Sequence, residues 1–135
     1  MVCSPDGGGT HTWYALRNEW QSGKNKARTI MLHRFLMNPP PGVPVDHKDG
    51  DGLNNQRNNL RICTARENKQ NGAKYKNGRT SRYKGVSLQK NSWRMQIAVN
   101  GKRIRRCFRT EIEAAKEYNS LAELHFGAFA RLNAI

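Results

Sequence analysis

The chain has 135 residues, a formal charge of +14, a pI of about 10.4 and 36% hydrophobic residues. That length holds one ordinary domain or two very small ones with thin cores. The charge implies a polyanionic partner, most simply nucleic acid. The absence of a long apolar run, a strongly amphipathic basic helix or an apolar leader in residues 1–12 argues against membrane binding and export, so a cytoplasmic protein is expected.

Residues 1–10, with Pro5 and Gly7-Gly8-Gly9, are expected to form a mobile tail. His11–Trp20 and Ala27–Leu32 read as two strands of a β-hairpin around a polar turn with Gly23. His33–Met37 suits a short helix, which Asn38-Pro39-Pro40-Pro41-Gly42 must end. His33 either contacts a substrate, braces a site or is an ordinary hydrogen-bonded histidine, since a lone histidine carries no signature.

The stretch from Val45 to Asn71 organises the rest. Asp46-His47 is expected at the end of one strand, followed by a loop rich in Gly and Asn. Asn59-Leu60-Arg61-Ile62 reads as the next strand. Thr64 with Glu67 three residues on is a capping box, so a helix starts at Ala65 and carries Asn68 in its first turns.

Strand, loop, strand and helix thus bring together a base and hard oxygen donors. His47 takes up a proton near neutral pH, and Asp46 and Asn68 offer ligands of the kind Mg²⁺ accepts. With two protein ligands, positions remain for phosphate and water, as phosphodiester hydrolysis needs. Neighbours on a strand face opposite sides, so a distorted strand end is expected, permitted by Gly50 and Gly52. Asp49, Asp51 and Gly52 also hint at a calcium loop, but the full set of oxygen positions and the closing Glu are missing.

These residues, with Leu32-His33-Arg34 upstream, resemble the HNH motif of the ββα-metal nucleases. The resemblance implies His47 as general base, Asp46 and Asn68 as metal ligands and Asn59 as the brace of the loop. An Asn at the last position is similar to the phage homing endonucleases of that family and implies one weakly held Mg²⁺, with Mn²⁺ as a substitute, rather than tightly bound Zn²⁺. The widely spaced Cys3, Cys63 and Cys107 read as reduced thiols, neither disulfide frame nor zinc site.

Residues 72–82 read as a basic linker. Twelve Lys or Arg and no acidic residue lie between Gly72 and Arg109, where a solvated face would mix signs. Three strands are expected over Tyr83–Leu88, Trp93–Val99 and Lys102–Phe108, with a hairpin turn at Asn100-Gly101. Thr110 with Glu113 caps a helix running to about Phe126, with Ile112, Ala115, Tyr118 and Ala122 on its buried side and Gly127 beyond its end.

Tyr83-Lys84-Gly85-Val86, Trp93, Ile97, Phe108, Glu113-Ala114-Ala115, Tyr118-Asn119, Ala122, Phe126-Gly127 and Leu132-Asn133 resemble the APETALA2/ethylene-response-factor DNA-binding domain. That family lays its sheet in the major groove. The resemblance implies Lys84, Ser87, Gln89, Lys90, Arg94 and Gln96 at or near DNA, together with some of Arg103, Arg105 and Arg106. The third strand departs from the family pattern, which leaves the choice among these three arginines open.

An α+β protein is therefore expected: a β-hairpin and ββα-metal nuclease unit over residues 11–71, a linker, then a three-stranded antiparallel sheet on one helix over residues 83–135. The two resemblances together imply a phage HNH endonuclease acting on double-stranded DNA in the bacterial host, with no small-molecule cofactor. A monomer would cut one strand at a time and leave 5′-phosphate and 3′-hydroxyl ends. The rival is a non-catalytic DNA-binding regulator or architectural factor with a decayed motif. An RNA-binding factor would need an aromatic-rich open face, which the sheet lacks.

Overall fold

The computed structural model describes residues 2–5, 13–23, 26–73 and 80–135, and the chain divides into two compact units, Met1–Asn71 and Gly72–Ile135. The first unit begins with a three-stranded antiparallel sheet of β1 (Val2–Pro5), β2 (Trp13–Gln21) and β3 (Lys26–Met31), with β2 central. The tail expectation fails at its start, because Val2–Pro5 pairs with Trp13–Leu16. Residues 6–12, including His11 at the expected start of the hairpin, lie outside the described residues. Ala15 and Leu16 are buried, whereas Arg17–Trp20 and Lys26–Thr29 are exposed, so the hairpin leaves the core beyond Leu16.

Helix α1 (Leu32–Met37) follows β3 directly. Asn38 closes it in the left-handed region (φ 42°), where Asn is better tolerated than most side chains, and donates its backbone N–H to the Arg34 carbonyl. The prolines then carry the chain to β4 (Val45–His47), which pairs antiparallel with β5 (Leu60–Ile62). Helix α2 (Ala65–Asn71) starts from the expected box: Thr64 Oγ1 accepts from the Glu67 amide, while Glu67 Oε2 accepts from the Thr64 amide. The described buried apolar residues of this unit are few and small: Ala15, Leu16, Val45, Leu60 and Cys63.

The second unit is a sheet of β6 (Val86–Gln89), β7 (Ser92–Val99) and β8 (Lys102–Phe108), backed by α3 (Glu111–Phe126) and a 3₁₀ turn over Gly127–Phe129. Val86, Met95, Ile97 and Val99 pack against Ala114, Ala115, Tyr118 and Ala122. Thr110 and Glu113 form the complete capping box. Ile112 does not join the buried side; it is exposed. Asn100 and Gly101 take φ values of 50° and 78°, the pair a two-residue hairpin turn requires. Gly85 (φ 74°) has a second constraint: a methyl there would strike the Tyr118 ring and come within 2.8 Å of the Gln96 carbonyl. Asn133 ties the C-terminal segment down, its side chain bonding both backbone groups of Lys84 (2.6 and 3.2 Å) and its backbone bonding Asn119. Most of the expected linker, residues 74–79, lies outside the described residues.

Candidate active site

Strand alternation sends Asp46 and His47 to opposite sides of the β4–β5 ribbon, and the register is regular through His47, opposite Leu60. The chain turns immediately beyond this pairing, at the glycines expected to give the strand end its freedom. Gly50 makes a turn just after it (φ 78°), donating its N–H to the His47 carbonyl at 2.9 Å. Gly52 has no positive φ; its hydrogen is needed for close approach, because a methyl there would lie 2.7 Å from the Tyr14 ring and closer still to the Trp13 carbonyl.

The His47 imidazole sits among rings. His33 meets it edge-on at 5.1 Å between centroids, Tyr14 lies 5.8 Å away, and Tyr14 and His33 are 5.4 Å apart. The His47 Nε2 faces Asn55 Oδ1 at 3.4 Å, a long contact. The Asn55 amide nitrogen is turned to the Leu53 carbonyl (3.0 Å), so its oxygen is what His47 meets. That pairing favours the tautomer with hydrogen on Nε2 and leaves the Nδ1 lone pair as the basic atom. His33 is buried with Nδ1 unpaired. Burial, then the nearby His47 and Arg34, push its pKa down to about 4, so it is neutral at pH 7.

Asp46, on the other side, is buried and held from two directions. Arg61, directly opposite on β5, reaches Oδ2 through Nε (2.7 Å) and Nη2 (2.6 Å). Asn71, at the end of α2, donates its amide to Oδ1 (3.0 Å) and Oδ2 (3.1 Å), and also to the His47 carbonyl (2.8 Å). The helix asparagine that bonds Asp46 is Asn71. The Asn68 side chain is exposed, one helical turn earlier. Asn59 spans the loop between the strands, donating to Asp49 Oδ1 and the Asn54 carbonyl (both 2.9 Å) and accepting from the Asp49 amide (3.2 Å). Burial works against ionisation of Asp49, but donors from Asp51, Asn59 and Asn54 outweigh it and hold its carboxyl below the usual range. Those donors occupy the oxygens a calcium loop would offer.

Among the described residues no three His, Cys, Asp or Glu side chains cluster to hold a metal ion. The donors at hand are the Asp46 carboxylate, whose Oδ1 takes one bond from Asn71, and the exposed Asn68 amide oxygen. One carboxylate and neutral oxygens suit a hard divalent cation that keeps water and substrate oxygens as its other ligands. They do not suit zinc, which prefers closed sets of imidazole and thiolate.

The family model described as HNH endonuclease matches residues 38–70, the segment that carries Asp46, His47, Asn59 and Asn68. An uncharacterised HNH endonuclease of Acanthamoeba polyphaga mimivirus is 31% identical over 93% of this chain and 68% of its own length. The chain belongs to the HNH endonuclease family. Protein 3.8 of Escherichia phage T7 is 38% identical over 68% of this chain and 77% of its own length. No solved structure matches the chain significantly.

The matched segment of this HNH endonuclease-family chain ends before the second unit, whose sheet has one face free of the helix. Cross-strand pairing puts Ser87, Arg94 and Cys107 in one row, Gln96 with Arg105 in the next, and Ala98 with Arg103 in the third. Gln89, on the edge strand, alternates onto the same side. Arg105 Nε donates to Gln96 Oε1 at 3.0 Å. Arg106 pairs with buried Met95, so it turns to the helix side, where it forms an ion pair with Glu117. Of the three arginines among which the sequence left the choice open as DNA contacts, this register takes Arg106 off the free face. Lys90 is exposed in the turn after β6 (φ 50°). Lys84 is half-buried, its ammonium donating to the Gly72 carbonyl at 2.6 Å; burial, then Arg131, push its pKa down to about 8. No helix among the described residues is long and apolar enough to cross a membrane.

Sequence reasoning missed Asn71, Arg61, Tyr14 and Asn55. For Arg61 the signal was available, since it falls opposite Asp46 once the strands pair at His47 and Leu60. Tyr14 and Asn71 come from 32 or more and 24 or more residues away from the Asp46-His47 pair, and no local pattern marks them.

Proposed function

We propose that the protein is a metal-dependent DNA endonuclease whose general base is His47. The observation that carries the reading is the His47 imidazole, buried among the Tyr14 and His33 rings at the end of β4, next in the chain to a carboxylate held by α2 and β5. The rings pack around it, and the Asn55 oxygen favours the tautomer with hydrogen on Nε2. Neutral His33 packs beside it. His47 Nδ1 draws a proton from water as that water attacks the phosphorus, and the imidazolium passes it to solvent. Asp46 and Asn68 would hold the divalent ion, Mg²⁺ or Mn²⁺, which would supply neutralisation of the charge that builds on the phosphate and on the departing 3′ oxygen.

Substrate capture belongs to the second unit. Its open sheet face, carrying Arg94, Gln96, Arg103 and Arg105 with Ser87 and Gln89, lies across a duplex groove, with Lys84 and Lys90 at its edge. The resemblance to APETALA2 domains and the acid-free basic span support this placement. The protein acts as a monomer and nicks, because one such site serves one strand at a time.

Incubation with supercoiled plasmid and Mg²⁺ or Mn²⁺, with and without chelator, tests the reading. The expected result is metal-dependent conversion to open circles by the wild type and none by His47→Ala. A duplex-binding protein that leaves plasmid intact with every divalent metal would be the regulatory or architectural factor instead.

A further inference from the structure

We infer that Asn71 is a positioning residue for the cleavage reaction, the amide that sets Asp46, His47 and helix α2 in their mutual arrangement; this rests on the function proposed above. Asn71 is the last residue of α2 and is buried. Its single amide nitrogen has four acceptors within reach: both Asp46 oxygens, at 3.0 and 3.1 Å, the His47 carbonyl at 2.8 Å and the Lys48 carbonyl at 3.3 Å. Four acceptors around one nitrogen leave no ambiguity about which end of the side chain is NH₂. Its two hydrogens are shared, one across the carboxylate and one between the two carbonyls, a three-centre arrangement common where backbone geometry is tight.

Each of these contacts touches a different functional part. The carboxylate contacts set the plane of Asp46, together with Arg61 on Oδ2. The carbonyl contacts fix the main chain at His47 just where β4 gives way to the Gly50 turn, whose N–H shares the same His47 carbonyl. The nitrogen itself belongs to the helix that carries Asn68 three residues earlier. One side chain thus couples the proposed base to both proposed ligands. Asn71 acts through these groups and contacts no reacting atom. A displacement of about 1 Å in such an arrangement is enough to cost about 10²-fold in rate.

The test uses full-length Asn71→Ala and Asn71→Leu. The leucine keeps most of the volume and donates no hydrogen bond. Three quantities are measured at a temperature where circular dichroism shows the protein folded: single-turnover cleavage of a saturating duplex, duplex affinity in chelator, and Mn²⁺ affinity without DNA by electron paramagnetic resonance. The expected result is a fall of about 10- to 100-fold in the cleavage rate, a severalfold weaker Mn²⁺ affinity and an unchanged duplex affinity. A residue that served only packing would lower the melting temperature and leave the rate of the folded variant alone. Either variant, folded and cleaving within about threefold of wild type, overturns the inference, and so does failure of both variants to fold, which would make Asn71 a folding residue. If the wild type cleaves with no divalent metal, the proposed function is what fails, while the Mn²⁺ comparison still reports on Asn71.

Discussion

Three residues on or near β4 lead to separate expectations. His47→Ala should lower cleavage by about 10²- to 10⁴-fold with duplex affinity intact, the range a lost general base commonly gives; a near wild-type rate would mean another group takes the proton. His33 bears on stability. Its folded pKa of about 4 lies below the 6.5 of an unconstrained histidine. Between these values the unfolded chain binds a proton that the folded chain does not, so stability is full above about pH 6.5 and declines as pH falls toward 4. His33→Phe should flatten the fall in melting temperature over that window, and equal slopes in both proteins would assign the proton elsewhere. Gly52 is a third case. It looked like a source of backbone freedom, but its role is room for Tyr14. Gly52→Ala should therefore destabilise the first unit through displacement of the ring beside His47, seen as a lowered melting temperature together with reduced cleavage.

At the level of elements, what was legible was local. Both capping boxes depend on residues three apart, and α2 and α3 start where Thr64 and Thr110 say they should. The Asn100-Gly101 turn and the alternation of β7 were equally readable, because φ preference and side-chain period need no distant partner. The misses have the opposite character. Strand β1 exists through pairing with Trp13–Leu16, a choice made by the sheet and not by Val2–Pro5. That Asn71 meets Asp46 depends on where α2 packs, and i and i+3 positions on one helix look alike until its neighbour is known. Arg106 was ambiguous until the β7–β8 register set it opposite Met95. That register makes a test. Replacing Arg103 and Arg105 together by Ala should flatten the dependence of log K on log salt by up to about two units if both meet phosphate. Arg106→Ala should leave the slope alone and cost under about 1 kcal/mol of stability, the worth of an exposed ion pair. Fluorescence anisotropy of a duplex across a salt series checks both, and a flatter slope for Arg106→Ala would place the wrong face on DNA.

For the whole molecule, the division at Asn71 and Gly72 is expected to separate the proposed chemistry from most of the positive charge. A fragment of residues 80–135 is expected to bind duplex without cutting it, and residues 1–72 to lose most of the affinity; efficient site-specific cleavage by the shorter N-terminal piece would refute that division of labour. With about six cations on phosphates, the full chain should show a salt slope near −5. The junction between the two units is also expected to bear on how the protein ages. Asn71 is followed by Gly72, and an Asn-Gly pair is where a side-chain amide is most readily lost, because the unhindered glycine nitrogen can attack it to form a succinimide. Hydrolysis of that ring turns the donor that holds Asp46 into a carboxylate that repels it. Stored protein is expected to lose cutting rate in step with the loss of the Asn71 amide, and peptide mapping of aged samples separates that loss from the same reaction at Asn77-Gly78 and Asn100-Gly101.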